Sequence, residues 1–349
     1  FEDSYFLVDI PELGIAVEPE RDEWFQFFQW LGVHAYPRMI EAHGPIRRDA
    51  EAPFEGAALW PQYMEAIDDS FRCRHPTKGG DHRRELSAAH TLEHFDDLVE
   101  AGDAERLKSL YQLLASGWQH TYRSCTRAWQ HCIHTTTGCP SDQVEDYLLY
   151  ALRNASWLPA EVGSSAAVCL SPKHIWTLGE TDPAAARQLV PTLPETLRTG
   201  MYLDLAVDLA FTSSSVAQIE DYIDLLYLFP ARYGIRSPDD NQEANQQWQR
   251  SLSAVFNWIC ERIQVGLGSR GDAAPPRPDD LHLVATRNGE LKYEPVTALD
   301  LVYPDNALLK QRWLPYCSYL LGNDDWQRLR GWMGVPDLSK VIDTHQELG

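Results

Sequence analysis

Apolar side chains recur at three- and four-residue steps along several stretches of the chain, the pattern of helices that bury one face. This spacing predicts helices over 22–31 and 145–153. The longest candidate covers 103–133, where Leu107, Tyr111, Leu114, Trp118, Tyr122, Cys125, Trp129 and Cys132 form one continuous stripe. A second long helix is expected over 243–265, with Trp248, Leu252, Val255, Phe256, Ile259 and Ile263 facing inward. The sequence GLGSRGDAAPPRPDD over 266–280 then breaks all periodicity and reads as a linker or long loop.

Two stretches read as hairpins that lead into a short apolar run. They are 157–178, WLPAEVGSSAAVCLSPKHIWTL, and 281–303, LHLVATRNGELKYEPVTALDLVY. In the second, Asn288-Gly289 between β-forming residues is a strong local hairpin signal. Each hairpin follows a helix and carries a central Gly. Each then has a Pro (Pro172, Pro295), apolar side chains and an Asp (Asp182, Asp305).

Aligning these features suggests a repeated unit. Trp332-Met333-Gly334-Val335 precedes Leu338-Ser339, as Trp30-Leu31-Gly32-Val33 precedes Pro37-Arg38. In the middle copy, Leu209-Ala210-Phe211 precedes Ser213 to Ser215, with Ala in place of Gly. Such a helix end calls for a left-handed C-cap feeding a new helix N-cap. The expected fold class is therefore α+β, predominantly α-helical, with short β-hairpins in repeated helix-hairpin-helix units. The expected divisions are 1–48, the tail of a preceding unit; 49–236, a helical region with the first hairpin unit; and 237–349, the second. Unequal spacing between the copies argues for coincidence instead, because periodic units normally keep their length.

Charge narrows the function classes. With 51 acidic and 30 basic side chains the formal charge is −21, which opposes a phosphate-neutralising surface and hence direct nucleic-acid binding. No stretch is apolar for long enough to span a membrane. Seven cysteines are too few and uneven for a disulfide framework, so a reducing, cytoplasmic setting is expected. The chain starts at Phe1 and ends just after a helical pattern, so it reads as a segment of a longer protein.

WLP…G…SP…IW, then L..G..KYEPVTALDLVYPD and LRGWMGV, resemble repeat-region segments of sacsin and its bacterial relatives. The resemblance covers 154–211, 281–341 and 24–37. Two departures are visible: Tyr303-Pro304-Asp305 inverts the family's Asp-Pro order, and the first copy has no Tyr before its Asp. The resemblance implies a large parent protein with a histidine-kinase-like ATPase module of the heat-shock type. Neither the Asp-x-Gly-x-Gly motif nor the magnesium-binding Asn helix of that module is recognisable here. ATP and Mg²⁺ would thus bind elsewhere in the parent, with no cofactor in this segment and no catalytic residue carried over. The implied partners are other domains of the parent chain and further proteins.

Several motifs invite a chemical reading. His90-Thr91-Leu92-Glu93-His94 fits H-x-x-E-H; on a helix, His90 and His94 would share a face and hold Zn²⁺ while Glu93 activates water. A zinc metallopeptidase is the alternative to a binding module. Against it, Leu92, Phe95, Leu98 and Val99 would form the apolar stripe, leaving both histidines on the polar side. The third ligand has no good candidate, since Glu161 and Glu180 fall in hairpin or turn sequence. Cys125, His131, Cys132, His134 and Cys139 crowd together near His120, and Cys125, Cys132, His134 and Cys139 could hold structural zinc. Cys73, His75 and His82 could join them in space. The plainer reading buries Cys125 and Cys132 as small hydrophobes.

Gly266-Leu267-Gly268-Ser269-Arg270-Gly271 matches a dinucleotide fingerprint but follows a helix instead of a strand, and Arg270-Gly271-Asp272 reads as chance. Ser213 to Ser215 suit an N-cap ahead of a helix over 216–228. Trp24, Trp30, Trp60, Trp157 and Trp176 are candidate partner anchors, or core.

Overall fold

The computed structural model describes residues 37–68, 72–74, 81–132, 141–161, 168–198, 203–233, 242–270, 274–322 and 326–347. The expected helix over 22–31, Trp24, and the Trp30-to-Val33 closure lie outside them. The described chain mixes α and β structure and forms two compact units. One comprises 37–161, 168–175 and 193–211; the other comprises 176–192 and 212–347. The chain passes from one unit to the other more than once over 161–212.

The first unit opens with strand β1 (Met39–Ile46), helix α1 (Trp60–Ala66), β2 (Arg72–Arg74) and the long β3 (Asp81–Leu92). Helices α2 (Phe95–Ala101) and α3 (Ala104–Gly117) follow, and Asp103 caps α3 by accepting from the Glu105 and Arg106 amides. Strands β4 (Arg127–Cys132) and β5 (Asp142–Glu145) and helix α4 (Tyr147–Asn154) come next. The strands form an antiparallel sheet in the order β1-β3-β4-β5, with β2 also paired to β3. Trp60, Tyr63, Tyr111, Leu114, Trp118, Tyr122, Tyr147 and Trp157 build its core.

The single helix expected over 103–133 is not formed. It stops at Gly117, passes through a π-helical turn (Trp118–Tyr122) and a 3₁₀ turn (Arg123–Cys125), and becomes β4. Side-chain anchors hold this change: Trp118 Nε1 donates to Asp208 Oδ2 at 2.7 Å, and Tyr122 Oη donates to the Pro37 carbonyl at 2.7 Å. Beyond Thr126, burial alternates with a period of two. Ala128 and Gln130 point inward, whereas Trp129 is 47% exposed on a position that a helical stripe would bury.

The first expected hairpin is present as a two-stranded ribbon, β6 (Leu158–Ala160) against β7 (Val168–Leu170). Strand β8 (Trp176–Thr177), helix α5 (Ala186–Leu189), helix α6 (Leu203–Asp208) and strand β9 (Thr212–Ser213) follow, with β8 and β9 parallel.

The second unit then runs through α7 (Ile219–Tyr233), α8 (Gln242–Arg270), β10 (His282–Arg287), β11 (Glu290–Pro295) and β12 (Leu301–Val302). It ends with α9 (Ala307–Trp313), β13 (Ser318–Leu320), α10 (Gln327–Met333) and α11 (Leu338–Glu347). Asn288 and Gly289, at φ 53° and 85°, close the expected second hairpin in a two-residue turn. This hairpin is built into a four-stranded sheet, β11-β10-β13-β12, unlike the first.

Two further expectations change. The long helix starts as expected but continues through Gly266, Gly268 and Ser269, which were read as linker. Gly266 is needed for close helix packing: a Cβ there would lie 2.8 Å from the Ile219 Cβ on α7. Ser213 to Ser215 do not cap the next helix. Ser213 belongs to β9, and the α7 end is held by Gln218 N donating to Asp221 Oδ2 at 2.7 Å.

Candidate functional site

The H-x-x-E-H segment does not lie on a helix. His90, Thr91 and Leu92 end strand β3, Glu93 starts a turn, and His94 adopts a left-handed φ of 58° ahead of α2. A strand followed by a turn sends side chains at this spacing in different directions. The three candidate side chains accordingly engage different partners. His90 Nδ1 lies 3.0 Å from Asp146 Oδ2, Glu93 Oε1 lies 3.5 Å from Arg38 Nη1, and His94 Nδ1 lies 3.0 Å from Asp97 Oδ2. The helical face proposed for a zinc pair is thereby corrected.

What the fold builds around His90 is a chain of charged contacts that joins β1, β3 and the cap of α4. Asp146, the N-cap of α4, is fully buried. Its Oδ1 accepts from the Leu148 amide at 2.9 Å and the His90 amide at 3.0 Å, while Oδ2 meets the imidazole. On the other side, His90 Nε2 lies 3.6 Å from Glu41 Oε1, and Glu41 is paired directly across the β1–β3 ladder. Glu41 Oε1 also lies 3.1 Å from His43 Nδ1.

Burial would lower the His90 pKa, but the Asp146 hydrogen bond and the Asp146 and Glu41 charges outweigh it, so the value lies above 6.5. Burial pushes the Asp146 carboxyl up, against the hydrogen bonds from His90 and Leu148. Held between two carboxylates, His90 ties β1 to the start of α4, and protonation of the imidazole strengthens the tie.

The cysteine cluster is also dispersed. Cys125 is half-buried in the 3₁₀ turn and packs on the first core. Cys132 ends β4 and is disulfide-bonded, which removes it as a thiolate ligand and departs from the expected all-thiol chain. His134, Cys139 and His75, with the side chains of Cys73 and His82, lie outside the described residues. His131 Nδ1 instead lies 2.9 Å from Ser141 Oγ. Burial raises the pKa of the free thiols Cys169, Cys260 and Cys317, disfavouring the thiolate a soft metal needs. Among the described residues, no three His, Cys, Asp or Glu side chains are placed to hold a metal ion.

Of the proposed aromatic anchors, Trp60, Trp157 and Trp176 are buried in the cores, not displayed. The dinucleotide-like glycines sit at the C-terminal end of α8, without the strand-to-helix context a pyrophosphate needs; Gly271 and Asp272 lie outside the described residues. A shallow surface pocket of about 480 Å³ is lined by Arg48, Met64, Glu65, Ala66 and Asp68, with Arg48 ion-paired to Asp68. No helix of the described residues is long and apolar enough to cross a membrane.

Asp146 and Glu41 were not singled out by sequence. Asp146 had a readable signal, an acid directly before the apolar Tyr147-to-Leu152 run; Glu41 had none, since only the β1–β3 register brings it to His90. No family model matches the chain, and none of the curated proteins or solved structures is significantly similar to it.

Proposed function

We propose that this chain is a non-catalytic protein-binding or scaffolding module of a large sacsin-like, chaperone-type protein whose ATPase module lies elsewhere in the parent. The observation that supports it is a chain closure occurring twice. Ala210 and Gly334 both adopt a left-handed conformation at a helix end, with φ of 57° and 73°. Three residues later, Ser213 and Asp337 each bridge in parallel to a residue seven or eight positions past a hairpin's second strand, Thr177 and Tyr303. The next amides, Ser214 and Leu338, donate to the Thr177 carbonyl at 3.1 Å and the Tyr303 carbonyl at 2.9 Å.

The acid after each hairpin then clasps a serine beyond the closure. Asp182 Oδ2 accepts from Ser214 Oγ at 2.5 Å, and Asp305 accepts from the Ser339 hydroxyl and, at 3.0 Å, from its amide. We infer from this that the helix-hairpin-helix unit recurs and that the job of both closures is mechanical: to end a helix, turn the chain and anchor the next one. On this reading the copies differ in the sheets around their hairpins, two-stranded in the first and four-stranded in the second.

Such units present surfaces to other domains of the parent and to protein partners. The free thiols fit a cytoplasmic setting, with the Cys132 disulfide as the exception. The test is Mg²⁺-ATP binding and hydrolysis by the purified chain. Neither is expected, and clear turnover refutes the reading.

A further inference from the structure

We propose that helix α9 and its flanks form a docking surface for an acidic amphipathic segment of a partner protein, a proposal that rests on the binding-module reading above. No residue of α9 is buried. Its inward side chains, Leu309 and Trp313, are only partly covered where they pack on Val302, Tyr319, Leu338 and Ile342. Around them Leu308 is 78% exposed, Leu314 41% and Tyr316 66%. Isolated exposed apolar residues are ordinary, whereas several on one short connection mark an interaction site.

Charge selects the occupant. From Asn306 to Tyr316 the chain carries Lys310 and Arg312 and no acid, in a protein with 51 acidic side chains. Among the described residues neither cation is ion-paired; Lys310 Nζ sits 5.5 Å from the Tyr319 ring centroid, and the Lys310 carbonyl accepts from Tyr319 Oη. Arg, Tyr and Trp are the residues enriched at interface hot spots, and Arg312, Trp313 and Tyr316 supply all three.

A second copy of the chain is disfavoured because two bodies of formal charge −21 repel, and an anionic membrane is disfavoured for the same reason. A short segment differs. Charges beyond about 8 Å are screened at physiological ionic strength, so it meets the local set: Lys310, Arg312 and Asp305, whose carboxylate already accepts from Ser339. Leucine- or phenylalanine-bearing turns with acids alongside would cover the apolar ridge and pair with both cations.

The experiment uses fluorescence anisotropy with two labelled synthetic helices, Leu and Phe on one face and either Glu or Lys on the other. The Glu peptide is expected to bind the full chain about tenfold more tightly than the Lys peptide. Lys310→Glu with Arg312→Glu should weaken the Glu peptide by about tenfold and reverse the preference, while Leu308→Ser with Tyr316→Ser should weaken both peptides. Equal binding of both peptides to the unmodified chain, or no binding of either, overturns the proposal. So does self-association in sedimentation velocity, or uptake on phosphatidylserine vesicles, that Leu308→Ser with Tyr316→Ser abolishes. Failure here with no ATP turnover removes only this surface; ATP turnover removes the binding-module reading whatever the peptides do.

Discussion

Asp146→Asn keeps the shape of the α4 cap and removes only its charge. The amide oxygen can still accept from the Leu148 and His90 amides, which lie 2.9 and 3.0 Å from Oδ1. What disappears is the 3.0 Å contact between Oδ2 and His90 Nδ1. A hydrogen bond to a charged group contributes about 1.5–3 kcal/mol. Breaking a fully buried pair costs about 3–5 kcal/mol, but the His90 side chain keeps 12% exposure and Glu41 remains 3.6 Å away. The expected loss is therefore about 2–3 kcal/mol.

The loss must also depend on pH. His90 has a folded pKa above 6.5, so its contribution is complete below 6.5 and fades as pH rises through the raised folded value. Urea unfolding of both proteins across that window reads the difference directly. It should be largest at the acidic side and shrink towards alkaline pH. A difference below about 1 kcal/mol, or one that does not change with pH, refutes the His90–Asp146 account.

Gly266→Ala gains helix propensity of about 1 kcal/mol but forces a Cβ to 2.8 Å from Ile219, so a net destabilisation of about 1–2 kcal/mol is expected; a rise in thermal stability would contradict the close approach. Ala210→Gly should stabilise by about 1 kcal/mol because the native φ is 57°, whereas Gly334→Ala should destabilise by about 1–2 kcal/mol in urea unfolding. A loss of stability in Ala210→Gly would speak against the shared backbone state. Ser214→Ala leaves the buried Asp182 without its hydroxyl donor and should cost about 1.5–3 kcal/mol, measured in the same way.

Local signals were legible where one principle decided the outcome. Asn288-Gly289 predicted its hairpin because few residue pairs accept two positive φ values. The 243–265 stripe predicted its helix because the whole face meets one core. The failures come from longer-range choices. Along 103–133, three- and four-residue steps continue past Gly117, yet Trp118 and Tyr122 are tied to Asp208 and Pro37, partners far away in sequence that periodicity does not reveal. His90 to His94 held a helix-compatible motif, but pairing of β3 with β1 claimed His90 for a strand. Gly266 was read as a breaker although its missing side chain serves packing.

The candidate site was half visible: His90 was named for zinc chemistry, and its true partners came from a helix cap and a cross-strand register. Of the closures, Ala210, Gly334, Asp182 and Asp305 were readable, since helix-stop and turn residues act locally. The parallel bridges they support were not.

Hydrogen exchange at the Ser214 and Leu338 amides tests the recurring closure most directly, read in the unmodified chain and in Ala210→Val and Gly334→Val. Valine resists the left-handed state, so each substitution should accelerate exchange of the amide four positions after it by at least about tenfold and leave the other closure protected. Unprotected amides in the unmodified chain, or a response at only one of the two, would contradict a unit used twice.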